Sequence, residues 1–525
     1  MYSEVTTKIS DLIKLNAVQH LSNSLIGIEK ESLRVNNDAN ISQTRHPLAL
    51  GAALTNPIIT TDYSEALIEF ITPPLNSVEK ALLYIEDLHK FVYKRLDNEM
   101  FWATSMPCVV KGESNIPVAE YGSSNLGKMK TIYREGLGHR YGKTMQIIAG
   151  VHFNYSFSDE FWSTLYETSE KTVDKQTYIN QKYFSLIRNL LRVGWMVPYL
   201  CGASPAVCKS FFGDIQTNLD SFDDTSYYKP YATSLRMSDI GYQNNKENEK
   251  GIKASYNDLD DYITNLKHAI ETPCPEYEKL GVKVNGEYQQ LNANILQIEN
   301  EYYSTVRPKQ IIRSNEQPIN ALKKRGIKYI ELRSIDINAF DPFGVNEEQL
   351  YFLETLILFC LLADSPDIHA AEKKEIDNNE MITAMKGREP GVKLARFGQS
   401  ITLTDWANEV FGALTPISHI LDESNKTNKY SIAVKNLSKI VSDPDKSPSA
   451  LMLENMKKNN EGFHYFAKRM SVQHNTYFKQ LALSKSRNDE FEQIVKDSIE
   501  KQRQIESSDK FTFEEFLDAY YKGNL

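Results

Sequence analysis

The chain has 525 residues, 41% of them hydrophobic and 25% charged, so it can bury a large core and its composition excludes wholesale disorder. With 60 basic and 69 acidic residues the net charge is −9, which argues against nucleic acid as the main partner because phosphate binding requires clustered positive charge. The five cysteines are widely spaced and form no CxxC pair, so we expect free thiols. The sequence has no secretory signal and no apolar run long enough to span a bilayer, so we expect a cytoplasmic protein.

The first hundred residues combine a short amphipathic helix with two predicted strands and a longer helix over residues 78–96. In the first strand, LIGIEKESLRVN (25–36), period two places Glu29 and Glu31 on the same face as Leu33 and Val35. In the second, ALIEFITP (66–73), Glu69 lies between two apolar residues of its own face. Acids therefore stand in both predicted strands.

Residues 101–345 contain most of the Gly, Pro, Asn and Tyr, and two further strands are predicted there. In IKYIELRSIDI (327–337), Glu331 and Arg333 share a face with Tyr329. In TMQIIAGVHFNYSF (144–157), the residues predicted on the polar face are Gln146, His152, Asn154 and Ser156. A half-buried sheet usually carries Thr or Val at such positions, so the acids, amides and histidine require a functional explanation.

From Asn346 onward the pattern is helical, beginning with an apolar helix over residues 347–363. Lys- and Glu-rich helices follow, separated by DPDKSPS (443–449), and the polar stretch QNNKENEKG (243–251) is the best candidate for a mobile surface loop. We predict a catalytic region over residues 1–365 and a helical C-terminal region over 366–525, packed on the same domain.

Common catalytic motifs are missing from the sequence. GSSNLGKM (122–129) spells GxxxxGK, but Met129 stands where a phosphate loop needs Ser or Thr to bind magnesium. GLGHRYG (136–142) does not fit the GxGxxG spacing of dinucleotide-binding folds. HExxH and GxSxG are also absent, so metalloprotease, serine hydrolase and standard kinase functions lack support.

A set of carboxylates in apolar strand contexts remains: Glu29, Glu31, Asp62, Glu69 and Glu331. Any one of them could lie on a solvent face or pair with a nearby Arg or Lys, because burying an unpaired carboxylate is costly. Together with one histidine, this oxygen-rich set suits Mg²⁺ or Mn²⁺ better than zinc or copper. Two or more such cations commonly support phosphoryl transfer from ATP, even without a glycine-rich loop.

Two neighbours of these acids also have two interpretations. His152 is either a hydrogen-bonded core histidine or a metal ligand. A lone histidine is more often the former, and the amides on its face make the two roles about equally favoured. Arg333 either neutralises Glu331 or stabilises charge on a transferring phosphoryl group.

Nine segments, in the same order, closely resemble the glutamate–cysteine ligase (γ-glutamylcysteine synthetase) family of the gamma-proteobacterial type. They are GIEKESLRVN (27–36), ITTDYSEALIEFITP (59–73), SMPC (105–108), TIYREGLGHRYG (131–142), MQIIAGVHFNYS (145–156), PYLCGASPAVC (198–208), PYATSLRMSDIGY (230–242), LQIENEYYSTVRPK (296–309) and IKYIELRSIDINAF (327–340). Nine ordered matches are far more specific than any short motif.

The resemblance implies an α+β fold with a glutamine-synthetase-like curved antiparallel sheet, shaped as a funnel and flanked by helices. It also implies the reaction. ATP phosphorylates the γ-carboxylate of L-glutamate, and the amine of L-cysteine attacks the γ-glutamyl phosphate. The products are γ-glutamylcysteine, ADP and phosphate, the first step of glutathione biosynthesis.

Residue roles follow from the matched motifs. The implied ligands of more than one Mg²⁺ or Mn²⁺ ion are Glu29, Glu31, Asp62, Glu69, His152 and Glu331. Arg333 matches the phosphoryl-transfer arginine, and Arg236 matches the residue that holds the α-carboxylate of glutamate. The implied cysteine pocket consists of Tyr63, Tyr133, Arg134, Gln146, Tyr242 and Tyr303, although many tyrosines of the chain must serve packing. We further expect a monomer with feedback inhibition by glutathione.

Two rival functions remain open. A ligase of the same superfamily could join glutamate to another amine, with the same metal site and a different acceptor pocket. A catalytically silent relative could instead bind glutamate or a peptide as a sensor, but such a protein would be expected to lack one or more of the metal-binding acids, and all five are present.

Overall fold

The computed structural model of the chain describes residues 2–241, 254–313 and 315–525. The predicted loop 243–251 and Tyr242 lie outside the described residues. The strands are β1 (Leu25–Asn36), β2 (Ile59–Thr61), β3 (Leu67–Ile71), β4 (Glu99–Phe101), β5 (Gly150–Ser156), β6 (Ala206–Cys208), β7 (Asp220–Ser221), β8 (Ser226–Tyr228), β9 (Lys283–Val284), β10 (Glu287–Tyr288), β11 (Val306–Lys309), β12 (Tyr329–Asp336), β13 (Lys393–Arg396) and β14 (Gln399–Thr402).

The main sheet has seven strands in the order β11-β12-β5-β1-β3-β2, and β4 pairs with the end of β1. Every pairing in it is antiparallel. The predicted antiparallel sheet is therefore confirmed, and three of its central strands are those expected at 25–36, 66–73 and 327–337. Smaller sheets are β6-β8-β7 and the hairpins β9-β10 and β13-β14.

Helices flank this sheet and make up the C-terminal region. Their bounds are Ser3–Lys14, Val78–Tyr93, Asn125–Tyr141, Asp159–Glu167, Lys175–Val193, Met196–Cys201, Leu259–Glu271, Pro275–Leu280, Pro318–Arg325, Glu347–Leu362, Ala370–Lys386, Leu403–Asn425, Lys429–Ser442, Pro448–Lys458, Phe463–Gln480, Lys485–Ser508 and Phe513–Tyr521. Within the described ranges, none is long and apolar enough to cross a membrane.

The apolar helix Glu347–Leu362 lies at the centre of the core. Asn346 caps it, accepting from the backbone of Gln349 while the Gln349 side chain accepts from the backbone of Asn346. It packs on Lys175–Val193 on one side and on Lys429–Ser442 on the other. One hydrophobic cluster thus extends from the sheet into the C-terminal helices, while the boundary predicted at residue 365 stays a prediction.

Local differences from the expected elements have identifiable causes. The strand predicted over 144–157 begins only at Gly150, because Met145–Ile147 forms a 3₁₀ turn in which Gln146 N–H donates to the Lys143 carbonyl. Gln146 is therefore not on the polar face of the strand. The C-terminal region also contains the hairpin β13-β14, whose two-residue turn places Phe397 and Gly398 at φ of 51° and 77°.

The expectation of five free thiols is wrong. Cys108 and Cys208 form a disulfide between segments 100 residues apart in sequence, with Cα atoms 5.3 Å apart. Cys201, Cys274 and Cys360 are free and buried. No local pattern indicates this pair, because the two cysteines are 100 residues apart and meet only through the tertiary fold.

Candidate active site

The acids predicted to be functional lie on adjacent strands of the main sheet. The register pairs Glu29 on β1 with His152 on β5, and Glu31 on β1 with Glu69 on β3. Glu331 on β12 pairs with Asn154 on β5. Since residues two apart on a strand share a face, this register places acids from β1, β3 and β12 and the histidine from β5 together.

Glu29, His152 and Glu331 form the tightest group. Each offers one ligand atom, and these atoms all lie within 4.8 Å of one another. His152 Nδ1 lies 3.2 Å from Glu29 Oε2, and its Nε2 lies 3.7 Å from Glu31 Oε1. Asn154 Nδ2 donates to the other oxygen of Glu29 at 2.7 Å. The structure therefore brings His152 among the acids, as a metal-ligand role requires.

Glu331 differs from the other acids because it has basic partners in the protein. Lys309 Nζ lies 3.0 Å from Glu331 Oε1, and Arg333 Nη1 donates to Oε2 at 3.1 Å. Burial alone would raise the pKa of Glu331, but Lys309 and Arg333 hold it well below its usual range. Glu331 is thus a carboxylate beside two cationic side chains.

Glu69 has the opposite electrostatic environment. Burial raises the pKa of its carboxyl well above the usual value, and the charges of Glu29, Asp62, Glu31 and Glu331 raise it further. Asp62 follows β2, beside Glu69 on β3, so it completes the acidic group. All five predicted acids therefore interact electrostatically at one site.

The residues fit hard divalent cations. Among the described residues no Lys or Arg forms an ion pair with Glu29, Glu31, Asp62 or Glu69, although these side chains are buried or half-buried. Charging several carboxylates held this close together is costly, and cations from outside the protein would lower that cost. Carboxylate oxygens with one imidazole are donors that Mg²⁺ and Mn²⁺ accept.

Arg236 lies beside this acidic group. Its Nη2 donates to the Arg333 carbonyl at 2.7 Å, and its Nη1 lies 3.6 Å from Asp336 Oδ1. A Cβ at Gly150 would be 2.1 Å from Arg236 Nη2, so glycine is required for this close approach. Gly150 N–H in turn donates to Glu31 Oε2 at 2.6 Å. One glycine thus contacts both the predicted substrate arginine and a predicted metal ligand.

The predicted pocket residues that the structure describes are distributed over four segments, and the first two of these lie next to Asp62. Arg134 donates to the Asp62 carbonyl, which ties the helix Asn125–Tyr141 to the acid after β2. Tyr63 is buried, and a Cβ at Gly138 would lie 2.4 Å from its hydroxyl oxygen. Tyr133 is half-buried on the same helix, and its carbonyl accepts from Gln297 Nε2 at 3.1 Å.

Tyr303 marks the side of the site nearest Arg236. It is buried against Met237 and Ala384, and its hydroxyl lies 3.6 Å from Met237 Sδ. Gln146 is also buried, but it lies in the 3₁₀ turn and not in a strand. Tyr303 is therefore packed beside the segment that carries Arg236, while Tyr242 lies outside the described residues.

Sequence reasoning missed several residues of this site. Lys309 and Arg307 belong to the segment LQIENEYYSTVRPK, and the two basic residues at alternate positions of a strand were the available signal. Glu380 was missed because it belongs to the helix Ala370–Lys386, and the Ala384 carbonyl of that helix accepts from the backbone just before Arg236. Burial raises the pKa of Glu380 to about 7, and its charge interacts with Arg236 and Tyr303.

A buried ion pair connects two of the segments that carry predicted pocket residues. Arg140 Nη1 lies 2.8 Å from Glu301 Oε1, and both side chains are fully buried. Tyr141 donates to the same oxygen at 2.8 Å, and Gln297 N–H donates to Oε2 at 2.7 Å. This network joins the helix that carries Tyr133 to the segment that leads to Tyr303.

Comparison with known proteins identifies the family. The family model described as glutamate-cysteine ligase matches residues 9–382. This chain belongs to the glutamate–cysteine ligase family. The glutamate–cysteine ligase of Alcanivorax borkumensis is 44% identical over 519 residues, covering 98% of each chain, and that of Pseudomonas putida is 43% identical, covering 96% of each.

Solved structures agree with this assignment to the glutamate–cysteine ligase family. The crystal structure of the glutamate–cysteine ligase of Francisella tularensis in complex with AMP superposes with a TM-score of 0.89 at 34% identity, covering 95% of this chain and 97% of that one. A bifunctional glutathione synthetase from Pasteurella multocida shares the fold, with a TM-score of 0.73 at 23% identity, over 92% of this chain and 58% of that one. The predicted family and fold are therefore confirmed, and the protein is a ligase.

Proposed function

We propose that the acidic face of the main sheet is where this ligase activates glutamate with ATP. The chain joins the γ-carboxylate of L-glutamate to the amine of L-cysteine, using ATP as co-substrate, and yields γ-glutamylcysteine, ADP and phosphate for glutathione biosynthesis. The observation that supports this site is the convergence of five carboxylates and His152 from neighbouring strands.

The reaction proceeds through a γ-glutamyl phosphate. A carboxylate is a poor electrophile because its negative charge repels an amine, and phosphorylation converts one of its oxygens into a leaving group. The Arg333 guanidinium, held by Glu331, stabilises the charge on the transferring phosphoryl group. Lys309, held by the same carboxylate, adds a second positive charge beside that position.

The residues that would hold more than one Mg²⁺ or Mn²⁺ ion are Glu29, Glu31, Asp62, Glu69, His152 and Glu331. When bound, such cations neutralise the triphosphate and polarise the phosphoryl oxygens. The hydrogen bonds from Asn154 to Glu29 and from Gly150 to Glu31 orient two of these carboxylates.

Glutamate binds between Arg236 and Glu380. Arg236 takes the α-carboxylate, and Glu380, one helical turn before Ala384, takes the α-ammonium. The cysteine pocket is built from Tyr63, Tyr133, Arg134, Gln146, Tyr242 and Tyr303.

The decisive experiment measures ADP release from ATP, Mg²⁺ and glutamate with and without cysteine. We expect cysteine-dependent turnover that falls at least about 100-fold in Glu331→Gln, because the variant removes both a metal ligand and the partner of Arg333. Glu409→Gln is the matched control, since Glu409 also pairs with an arginine, Arg396 at 2.7 Å, in the C-terminal region, and it should keep full turnover.

Other outcomes would contradict the proposal in different ways. Near-normal turnover in Glu331→Gln would remove Glu331 from the site. Turnover with a different amine but not with cysteine would favour the rival ligase, and no turnover with any amine would favour a sensor.

The proposal also covers the regulation, oligomeric state and location of the enzyme. We expect a cytoplasmic monomer that glutathione inhibits, because glutathione contains the γ-glutamylcysteine unit of the product. Light scattering of the purified protein tests the monomer, and initial rates with added glutathione test the inhibition.

A further inference from the structure

A second group of metal-binding side chains lies outside the acidic site. Cys108 is the last residue of the SMPC segment, Cys208 ends β6, and His464 is the second residue of the helix Phe463–Gln480. Their donor atoms all lie within 4.8 Å of one another. Both cysteines are buried and His464 is half-buried. Three segments far apart in sequence therefore converge on two sulfurs and one nitrogen.

The histidine is what distinguishes this group from an ordinary disulfide. Cys108 and Cys208 are bonded to each other in the structure, a link that needs no third donor. Yet His464 Nδ1 points at the pair and lies 3.5 Å from Cys108 Sγ. The imidazole also packs near the Trp102 ring, with centroids 6.1 Å apart, so it has a defined position.

The distance from one sulfur to the imidazole nitrogen already matches a tetrahedral metal site, and reduction of the disulfide would let the two sulfurs separate. Zn–S distances of about 2.3 Å and Zn–N distances of about 2.0–2.1 Å place a sulfur and a nitrogen about 3.6 Å apart at a tetrahedral angle. The separation of Cys108 Sγ and His464 Nδ1 is 3.5 Å. Two thiolates and one imidazole are soft or borderline donors, which favour zinc over the hard cations of the acidic face.

We propose that, in the reduced protein, Cys108, Cys208 and His464 bind one thiophilic divalent cation of the Zn²⁺ type. Two molecules of a small thiol reduce the disulfide and leave as their own disulfide, and the two protein thiols release two protons when the cation binds. Three protein ligands leave the fourth position to water, which the half-buried face of His464 admits. The site would join the C-terminal helix Phe463–Gln480 to the strand regions around β4 and β6.

Cobalt spectroscopy tests this site separately from the acidic one, because only thiolate ligands give an intense near-ultraviolet charge-transfer band with Co²⁺. The full-length protein is reduced with a phosphine, freed of phosphine and of cysteine, and titrated with Co²⁺ under argon. We expect one equivalent of Co²⁺ to produce the band and one equivalent of Zn²⁺ to remove it. Cys108→Ser and Cys208→Ser should lose the band, and His464→Gln should weaken Co²⁺ binding at least about 10-fold.

Two variants serve as controls. Cys274→Ser, which removes a buried free cysteine, should keep the band. His152→Gln, at the acidic face, should also keep it. Circular dichroism verifies that each variant is folded, and His464→Gln is the informative variant if a cysteine variant unfolds. A reduced wild-type protein without the band would overturn the proposal. So would an undiminished band in folded Cys208→Ser, or an unchanged Co²⁺ affinity in folded His464→Gln.

Discussion

Replacing Glu69 by Gln should stabilise the metal-free protein while greatly weakening its stabilisation by Mg²⁺. Glu69 lies directly opposite Glu31 across β1 and β3, and among the described residues no Lys or Arg forms an ion pair with either carboxylate. Burial and four neighbouring carboxylates raise its pKa well above the usual value. A raised carboxyl pKa means that stability is lost as pH rises above the unfolded value, so at pH 7 the Glu69 carboxyl destabilises the metal-free fold relative to a neutral glutamine.

The size of the effect follows from the register. Directly opposite residues of an antiparallel pair have Cβ atoms about 5 Å apart, which puts the two carboxylates about 6 Å from each other. Coulomb's law at an effective dielectric constant of about 20 then gives about 3 kcal/mol of repulsion. At about 2.1 cal/mol/K per residue, a chain of 525 residues unfolds with an entropy of about 1.1 kcal/mol/K, so the expected gain is about 3 °C in Tm.

Thermal unfolding in EDTA and in saturating Mg²⁺ measures both effects. In EDTA the Tm of Glu69→Gln should exceed that of wild type by about 3 °C. A concentration of Mg²⁺ at 100 times Kd should stabilise wild type by about 2.7 kcal/mol and the variant much less. Glu99→Gln is the contrasting control, because Glu99 pairs with the buried Arg34 at 2.6 Å and its loss should lower Tm under both conditions. A lower Tm for Glu69→Gln in EDTA would refute the idea that these acids repel one another.

Further outcomes concern substrate binding and pH. Arg236→Ala should raise the glutamate KM at least about 10-fold and the cysteine KM far less. Gly150→Ala should do the same, because a Cβ at Gly150 would displace the Arg236 guanidinium. Equal effects on both substrates in steady-state assays would show that the assignment of Arg236 is wrong. Glu380→Gln should raise the glutamate KM in the same direction, and an unchanged KM would remove Glu380 from the ammonium site. Burial raises the pKa of Glu354 to about 8, so ionising this carboxyl costs stability in the folded protein. The Tm of wild type should therefore fall between pH 4.5 and 8 by more than the Tm of Glu354→Gln. Parallel pH profiles of the two proteins in thermal scans would contradict this.

The strands that carry the acids were predictable from the sequence because their pattern is local. Period two in 25–36 and 327–337 placed Glu29 with Glu31 and Glu331 with Arg333, and the structure has strands at Leu25–Asn36 and Tyr329–Asp336. Where a strand was extended too far, at 144–149, apolar residues continued the alternation although the backbone turns there.

Contacts between distant segments were not predictable in this way. The pairing of Lys309 with Glu331 depends on the register of β11 on β12, which no local pattern fixes. The approach of Glu380 to Arg236 depends on how the helix Ala370–Lys386 packs. The same holds for Cys108 and Cys208, whose spacing in sequence says nothing about their proximity in the fold.

The negative charges on the two sides of the acidic face have different partners, and each side therefore suits a different part of the reaction. On β12, Glu331 is neutralised by Lys309 and Arg333, so a phosphate placed there meets positive charge from the protein itself. On β1 and β3, Glu31 and Glu69 repel each other, so a triphosphate placed there would be repelled unless cations lie between. If cations bind on the acid side as proposed, they would hold the nucleotide there while Arg333 and Lys309 attract the transferring phosphoryl group, an arrangement that suits transfer from ATP to a carboxylate.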